Sequence, residues 1–385
     1  MEAYLDNSAT TRAYDEVAAL VADIMTKEYG NASSVHHMGT VSSDRLSKAR
    51  EDIAATLKVD PQEILFTSGG TESDNLAILG VAKANKWRGK HIITTAIEHP
   101  AVLETAAELE KDGFEITYLK VDESGVVSLD ELKAALRPDT ILVSMMFVNN
   151  EIGTIEPVEK AGELIKAYNK DIYFHVDAVQ AYGKVLIRPR SMKIDLLSVS
   201  GHKIHGPKGV GFLYIKKGTK INPICYGGGQ QKGMRSGTEN VPGIAGLSLA
   251  AKMCYTDFES KIEKLYELKD YLINSLNDRL SDIKVNGPKC RDGAPQIVSV
   301  SIKGLAAETV LNMLSSKGIY VSAGSACTSN NPHISDTLQA IGLPKDLLES
   351  TIRISMSFMT TREEIDYFLD SLCSQVETMR KFYRH

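Results

Sequence analysis

Short apolar and β-branched runs alternate with helix-like stretches over about residues 63–215. Runs of about four to eight such residues, bounded by turn residues, are typical of strands buried on both faces of a sheet. They predict strands at 63–67, 91–95, 115–121, 141–148, 172–176 and 196–199. Strand–helix alternation of this kind predicts an α/β fold, with a mostly parallel sheet that carries helices on both faces.

The pattern changes after Gly237. A long helical tract over 240–280 is followed by two strand–helix units at 297–316 and 319–341, a strand at 351–355 and an amphipathic helix at 362–382. A chain of 385 residues is also longer than one core usually supports. We therefore predict a large domain at 15–255 and a smaller α+β domain formed by 1–14 and 256–385.

Composition and charge restrict the classes of function that this chain can have. The chain is 43% hydrophobic and 24% charged with a formal net charge of −5, so there is no basic excess to indicate direct nucleic-acid binding. The first residues are acidic and lack the apolar core of a signal peptide, and no apolar run is long enough to cross a bilayer. These features favour small-molecule chemistry in the cytoplasm, away from membranes.

The cysteines are widely separated and form no C-x-x-C pair, which argues against a disulfide framework or a metal site; they are Cys225, Cys254, Cys290, Cys327 and Cys373. Cys327 differs from the others because small residues surround it over 322–331. A buried, inert thiol is the commonest fate of cysteine. The lack of bulky apolar neighbours instead favours a nucleophile on a mobile loop.

Lys203 closes the string Ser200-Gly201-His202-Lys203, directly after the predicted strand at 196–199. A lysine at a strand end can hold an aldehyde cofactor as a Schiff base if burial or nearby cations lower the pKa of its amine. Most lysines at such positions are solvated surface groups, so the other motifs decide between the two interpretations.

Two motifs suit a cofactor with a phosphate and a pyridine ring. Gly69, Gly70 and Thr71 lie between a predicted strand and helix, where free backbone N–H groups can bind one phosphate, although Thr71 could also simply cap the helix. Asp177 ends another predicted strand and could keep a pyridine nitrogen protonated, or cap a helix. Neighbouring strands would bring Asp177 and Lys203 together.

Other polar residues have two interpretations each. Asn150 follows a predicted strand and suits either a phenolate contact or a turn, and His99 could stack on a flat ring or lie in a surface loop. Arg353 lies within a short apolar strand and therefore needs a carboxylate, from the protein or from a substrate. The glycine-rich loop over 227–240 is either a hinge or a phosphate contact.

In their order along the chain, these motifs resemble the cysteine desulfurases of the NifS/IscS type, in the class V aminotransferase-like family of fold type I pyridoxal-phosphate enzymes. The resemblance covers nearly the whole chain and rests on the strings YLDNSATT at 4–11, GNASS at 30–34, SGGTES at 68–73, SGHK at 200–203, GTEN at 237–240 and SAGSACTS at 322–329.

The resemblance implies a role for each matching residue. Lys203 is the Schiff-base lysine, Asp177 pairs with the pyridinium nitrogen, and His99 stacks on the ring. Asn150 and Gln180 contact the cofactor's phenolate side. Its phosphate is held by Gly70, Thr71, Ser200 and His202, and Thr238 reaches into the neighbouring subunit's site in a homodimer. Arg353, with Asn31, binds the substrate carboxylate.

The resemblance also implies the reaction. Lys203 removes the Cα proton of L-cysteine, the Cys327 thiolate attacks the substrate sulfur, and the products are L-alanine and a Cys327 persulfide, with His99 as a candidate proton relay. The sulfur passes to an acceptor protein for iron–sulfur cluster assembly or another thiolation pathway. No resident metal is expected, although Cys327 could transiently ligate an iron–sulfur cluster.

Two other function classes remain open at this point. The same cofactor residues would serve transamination or selenocysteine lysis, and the fold could also belong to a non-catalytic sulfur carrier.

Residues 355–359 differ from the polar, glycine-containing string expected after Arg353. The chain also ends soon after its last predicted helix, whereas some family members carry a longer segment that docks an iron–sulfur scaffold. The sulfur acceptor is therefore open as well.

Overall fold

The computed structural model describes residues 1–323 and 335–383. Within them the strands are β1 (Ala3–Tyr4), β2 (Ile64–Thr67), β3 (His91–Thr95), β4 (Glu115–Leu119), β5 (Thr140–Met146), β6 (Tyr173–Asp177), β7 (Leu196–Ser200), β8 (Gly211–Ile215), β9 (Ile283–Asn286), β10 (Ile297–Ile302), β11 (Ile319–Tyr320), β12 (Ser322–Ala323) and β13 (Thr351–Ser355).

The α-helices of the same residues are α1 (Asp15–Lys27), α2 (His37–Leu57), α3 (Gly70–Asn85), α4 (Pro100–Lys111), α5 (Leu129–Ala135), α6 (Val158–Tyr168), α7 (Val241–Tyr255), α8 (Phe258–Arg279), α9 (Ala307–Ser315), α10 (Asp336–Ala340), α11 (Lys345–Leu348) and α12 (Arg362–Tyr383). Short 3₁₀ turns occur as well, including one at Gly201–Lys203.

The larger sheet has seven strands in the order β2-β8-β7-β6-β5-β3-β4. All pairs from β7 to β4 are parallel, whereas β8 is antiparallel to both of its neighbours. Every residue of β5 and β7 is buried, as expected for strands covered by helices on both faces. The predicted α/β fold with a mostly parallel sheet is confirmed.

The sheet gathers six strand ends at one edge. Because β2 and β7 are both antiparallel to β8, they point the same way, and parallel pairing gives β6, β5, β3 and β4 that direction too. Ligands of open α/β sheets bind outside the carboxyl ends of the strands. The loops that leave these six strands therefore define where a site can form.

The helical tract predicted over 240–280 is two helices, α7 and α8, so its continuity was wrong. The chain breaks at Asp257, whose φ of 52° lies in the left-handed region that an α-helix cannot continue through. The strands β8 and β9 were not among the predicted strands. They have five and four residues, and both pair antiparallel.

A second sheet is antiparallel, in the order β12-β13-β10-β9. It packs in its own hydrophobic cluster, which includes Leu272 of α8 and Phe368 of α12 and is distinct from the clusters around the seven-stranded sheet. Ala3 and Leu5 also belong to this cluster, and β1 pairs with β11. The domain boundaries at 14/15 and 255/256 stay a prediction.

Membrane insertion through a helix finds no support in the described part of the chain, where none of the helices is long and apolar enough to cross a bilayer.

Leu272→Ala tests the cluster around the second sheet. Leu272 is fully buried there, so the substitution leaves a cavity and should lower the free energy of unfolding by about 2–5 kcal/mol. Thermal unfolding followed by circular dichroism measures the loss. Leu186 is 49% exposed, and Leu186→Ala should leave the melting temperature nearly unchanged. Equal shifts for the two variants would contradict this account of the core.

Candidate active site

A cavity of about 600 Å³ opens at the carboxyl edge of the seven-stranded sheet. Its walls also include residues of β12, of α10 and of β13 from the second sheet. The residues that were singled out from the sequence and line this cavity are Gly70, Thr71, His99, Asn150, Asp177, Gln180, Ser200, His202, Lys203 and Arg353. Residues far apart in the chain are therefore brought to one place.

Lys203 lies at the end of the 3₁₀ turn that follows β7. Its Nζ donates hydrogen bonds to the main-chain carbonyl oxygens of Ser8 and Ala9, the latter at 2.8 Å. Within the described residues the amine has no carboxylate at ion-pair distance. Two neutral acceptors compensate a buried ammonium less well than an anion does, which favours the neutral amine.

The pKa of Lys203 is accordingly lowered to about 7. Burial is the largest cause, and the positive charges of Arg353 and Lys184 act in the same direction, while Asp6 and Asp177 oppose them. An amine with a pKa near neutrality is partly unprotonated at pH 7, so it can act both as a nucleophile and as a base.

Asp177 is the last residue of β6 and lies opposite Ser198 of β7. One carboxylate oxygen, Oδ1, accepts the Val179 N–H at 2.8 Å. Burial, followed by repulsion from Asp74, raises the pKa of Asp177 to about 7. A cation placed against this carboxylate would restore its ionised form, which is the behaviour expected of a partner for a protonated ring nitrogen.

His99 caps the amino terminus of α4. Its Nδ1 accepts the Ala101 N–H at 3.1 Å, so the neutral ring carries its proton on Nε2. Burial is the main cause of a lowered His99 pKa, which the charge of Asp177 partly offsets. The cap therefore fixes both the orientation of the ring and its tautomer at the cavity wall.

The amino terminus of α3 forms an anion cradle beside Ser200. Gly69 precedes the helix with φ 152° and provides no side-chain cap, so the backbone N–H groups of the first turn remain for another acceptor. A Cβ at Gly70 would lie 2.8 Å from Cγ2 of Val179, and so any side chain there would collide with the adjoining loop. Thr71 adds a hydroxyl to the cavity wall.

His202 completes this side of the cavity as a neutral ring. Its Nδ1 lies 3.2 Å from Oγ1 of Thr10, and burial together with the charge of Lys203 lowers its pKa to about 4. A neutral imidazole can donate one hydrogen bond to an anion without adding a full charge.

Arg353 lies on β13, and two nitrogens of its guanidinium donate hydrogen bonds within the protein. Nη2 donates to Oδ1 of Asp6 at 3.0 Å, and Nη1 donates to the main-chain oxygen of Asn150 at 2.9 Å. The buried Nε has no hydrogen-bond partner among the described residues. The guanidinium is thus partly paired with a protein carboxylate and retains donor capacity for a second one.

Two of the predicted site residues that the structure describes do not line the cavity of this chain. Thr238 is exposed, and the side chain of Asn31 accepts hydrogen bonds from the backbone and hydroxyl of Ser33. Cys327 lies outside the described residues. On either side of it along the chain, Ala323 and Ser335 both line the cavity.

The unusual string 355–359 does not line the cavity either. The hydroxyl of Ser355 accepts the Ser8 N–H at 2.8 Å, and Met356 is fully buried. The departure from the expected string thus begins with a residue that packs against the amino-terminal segment, behind the cavity wall to which Ser8 belongs.

Sequence reasoning assigned no chemistry to the amino-terminal segment 6–11, although its letters carried part of the resemblance. Its contribution is largely through main-chain oxygens, which leave no residue-type signal: Ser8 accepts from Lys203 and from Nε2 of Gln180. Glu98 was missed as well. Its Oε1 accepts from Thr95 and from the Met146 N–H, and burial raises its pKa well above the usual range.

The chain is similar to known proteins over nearly its whole length. The profile of the family described as "Aminotransferase class-V" matches residues 3–368. The chain belongs to this family. Cysteine desulfurase IscS of Dictyoglomus turgidum is 46% identical over 379 residues, which cover 98% of this chain and 95% of that protein. Cysteine desulfurase IscS of Methanosarcina thermophila is 47% identical over 377 residues, or 98% and 92% of the two chains.

A solved structure titled "NIFS-LIKE PROTEIN" superposes with a TM-score of 0.93 at 40% identity, covering 98% of this chain and 100% of that one. Class-V aminotransferases and cysteine desulfurases depend on pyridoxal phosphate, so the expected cofactor is confirmed.

The site also fits pyridoxal phosphate on its own geometry. An uncapped helix start lies where a phosphate is needed, a buried carboxylate lies at the end of β6, and an amine of low pKa lies at the end of the turn after β7. In addition, Oε1 of Gln180 and Oγ of Ser8 are buried without partners among the described residues. Such orphaned polar atoms are explained by a bound polar group.

Asp177→Asn should change how the stability of the cofactor-free protein depends on pH. The pKa of Asp177 rises from 3.8 to about 7 on folding, so the folded protein holds an extra proton between these values. Stability contributed by that proton is complete below about pH 4 and is lost as the pH rises towards 7, at no more than about 1.4 kcal/mol per pH unit.

The free energy of unfolding of the asparagine variant, relative to that of the unsubstituted protein, should therefore increase across this pH range. Above pH 7 the difference between the two should be constant. Urea unfolding at several pH values gives the difference, and Asp130→Asn, at an exposed position on α5, is the control. A constant difference between the Asp177 variant and the unsubstituted protein from pH 4.5 to 7 would contradict the raised pKa.

Proposed function

We propose that this chain is a pyridoxal-phosphate-dependent cysteine desulfurase that takes the sulfur of L-cysteine onto Cys327 as a persulfide and passes it to an acceptor protein. The observation that carries the proposal is that a lysine of low pKa and a buried carboxylate line one cavity, whose wall also includes both neighbours of the segment 324–334. Relatives at 46–47% identity are named cysteine desulfurase.

The cofactor, when bound, supplies an electron sink that stabilises negative charge at the substrate Cα. Lys203 would hold its aldehyde carbon, Asp177 would pair with its ring nitrogen, and His99 would stack on its ring. Asn150 and Gln180 would contact its phenolate side. The first turn of α3 at Gly70 and Thr71, together with Ser200 and His202, would bind its phosphate.

Lys203 also moves the proton of the reaction. Its neutral amine at pH 7 can accept the Cα proton, and the carbonyl oxygens of Ser8 and Ala9 then stabilise the ammonium that results. Because these acceptors carry no charge, the proton is not trapped and can be returned to carbon. His99 offers a second route through Nε2, since Nδ1 is occupied by the helix cap.

Arg353 binds the substrate carboxylate. Its side chain lines the cavity, the contact of Nη2 with Asp6 keeps the guanidinium plane fixed, and Nη1 and Nη2 each retain one further N–H. A carboxylate can then accept two parallel N–H groups in the fork geometry that arginine offers. Asn31, which does not line the cavity of its own chain, is proposed to assist from the substrate side.

Cys327 accepts the sulfur. Its thiolate attacks the sulfur of the substrate, a new S–S bond forms, and the bond between that sulfur and the substrate Cβ breaks with its electron pair left on carbon. Protonation of that carbon leads to L-alanine. The four cysteines of the described residues are free thiols, and Cys254 is buried with its pKa raised to about 11, which leaves it unreactive.

The assembly and the destination of the sulfur are part of the proposal. We propose a homodimer in which the exposed Thr238 reaches the phosphate of the partner's site, since its side chain lies outside the cavity of its own chain. The name IscS of two relatives favours iron–sulfur cluster assembly as the use of the sulfur, and we propose the cytoplasm as the location of this chain. The acceptor is a protein that receives the persulfide sulfur.

Cys327→Ala should abolish the release of sulfide from L-cysteine in the presence of a reductant, with a fall of at least about 100-fold, because the thiolate nucleophile is gone. Cofactor absorbance should remain. Methylene blue formation measures the sulfide and chromatography measures the alanine. Cys225→Ala removes an exposed thiol and should retain activity. Full sulfide release by the Cys327 variant would refute the persulfide assignment.

Arg353→Gln should raise the KM for L-cysteine by about 10- to 100-fold, because a charge-assisted pair with the substrate carboxylate is lost. Initial rates over a range of cysteine concentrations separate KM from kcat. The control is Arg279→Gln, which removes an exposed ion pair with Asp370. An unchanged KM in the Arg353 variant would assign the substrate carboxylate to another group.

A further inference from the structure

Lys184 is a buried lysine that packs behind the catalytic turn. It follows Gly183, whose φ of 77° turns the chain and whose Cβ, if present, would lie 3.1 Å from Ile204 and 3.3 Å from Cys254. This close approach places the loop after β6 directly against the residue that follows Lys203. The position of Lys184 is therefore fixed by backbone packing.

The amine of Lys184 has one hydrogen bond to the protein, from Nζ to the main-chain oxygen of Lys203 at 2.8 Å. The residue is 8% exposed and does not line the active-site cavity. Among the described residues it has no carboxylate at ion-pair distance. Its ionisable neighbour is Cys254, a neutral thiol at physiological pH because burial raises its pKa to about 11.

A buried ammonium without an anion destabilises the fold, and one hydrogen bond to a carbonyl does not compensate for that cost. A methionine or leucine would fill the same space without the penalty. Groups of this kind are concentrated at functional sites, where they change the protonation of a neighbour.

We propose that Lys184 is a positioning residue for the desulfurase reaction: its buried ammonium holds the main chain of Lys203 in place and sets a positive charge behind the amine of Lys203. This inference rests on the proposed function, in which Lys203 acts as nucleophile and base.

The charges around Lys203 show why a second cation is needed. Arg353 and Lys184 disfavour its protonated form, whereas Asp6 and Asp177 favour it. Arg353 is already paired with Asp6, and a substrate carboxylate would neutralise it further. Among these groups Lys184 alone has no anionic partner in the described residues, so its influence persists while substrate is bound.

The influence of Lys184 depends on its own proton. Burial lowers the pKa of Lys184 to about 8, so it is mostly charged at pH 7 and becomes neutral above pH 8. His202 and His205, which also face this region, are neutral at pH 7 because burial lowers both of their pKa values to about 4. They do not replace the missing charge.

The experiment compares Lys184→Gln, Lys184→Met and Lys184→Arg in the full-length protein freed of cofactor. Acetic anhydride acylates neutral amines, and mass spectrometry of the Lys203 peptide over pH 6–10 gives the apparent pKa of Lys203. Glutamine keeps a hydrogen-bond donor without the charge, methionine removes both, and arginine keeps both. Loss of the charge should raise the pKa by about one unit, which lowers labelling at pH 7 about fivefold.

Lys269→Gln is the matched control. Lys269 is 2% exposed and donates to the main-chain oxygen of Ala294 at 2.8 Å, but it lies in α8, away from the cavity. Its substitution removes a buried lysine of the same kind and should not change the labelling of Lys203.

The pKa of Lys203 should rise in both the glutamine and the methionine variants and stay unchanged in the arginine variant. A pKa within about 0.3 units of the unsubstituted value in Lys184→Gln would overturn the electrostatic role. If Lys184→Met fails to fold, the glutamine and arginine variants still show whether the charge at position 184 changes the pKa of Lys203.

In the holoenzyme, the pH at which kcat is half-maximal should move upwards by about the same amount in Lys184→Gln. Labelling requires neither substrate nor Cys327, so a failed desulfurase assay would leave this measurement intact. Unchanged labelling together with full desulfurase activity would reject the role of Lys184 and keep the proposed function.

Discussion

The parallel pairing of β6 with β7 is the constraint on which the site depends. Their register sets Asp177 opposite Ser198, and β7 continues to Ser200 before the chain turns into Lys203. A carboxylate and an amine from different strands thus reach the same edge of the sheet. An antiparallel pair would have sent their loops to opposite edges. The other cavity residues follow from the same rule, because β2, β3 and β5 end on that edge too.

The second property of the site is that its buried ionisable side chains have uncharged groups as their immediate partners. Asp177, Glu98 and Lys203 are largely buried, and their immediate partners are backbone groups and a hydroxyl rather than opposite charges. Such an arrangement destabilises the cofactor-free protein. The same arrangement is suited to a ligand that has a cationic ring and a carbonyl carbon. Binding of such a ligand removes the electrostatic cost of these buried groups in the folded protein.

Much of the site was predictable from the sequence, since strand ends, glycines before a helix and a lysine in a small-residue turn have recognisable patterns. The amino-terminal segment was not, because Ser8 and Ala9 act through carbonyl oxygens that every residue possesses. Lys184 was missed for a related reason: a lysine next to a glycine in a loop is normally solvated, and its burial appears once Ile204 and Cys254 pack against the preceding Gly183. The break at Asp257 depends on a backbone conformation that apolar periodicity does not encode.

The sequence by itself determined the α/β class, the family and the chemical types present at the site, because alternating apolar runs and ordered motifs are local properties of the chain. The tertiary structure decided which of these groups are charged. The pKa values of Lys203, Asp177 and Lys184 depend first on desolvation by the surrounding elements, and that of Lys203 depends also on the charges of Asp6 and Arg353, which are distant from it in the sequence. Desolvation is a property of packing in three dimensions, so it becomes defined when the chain folds.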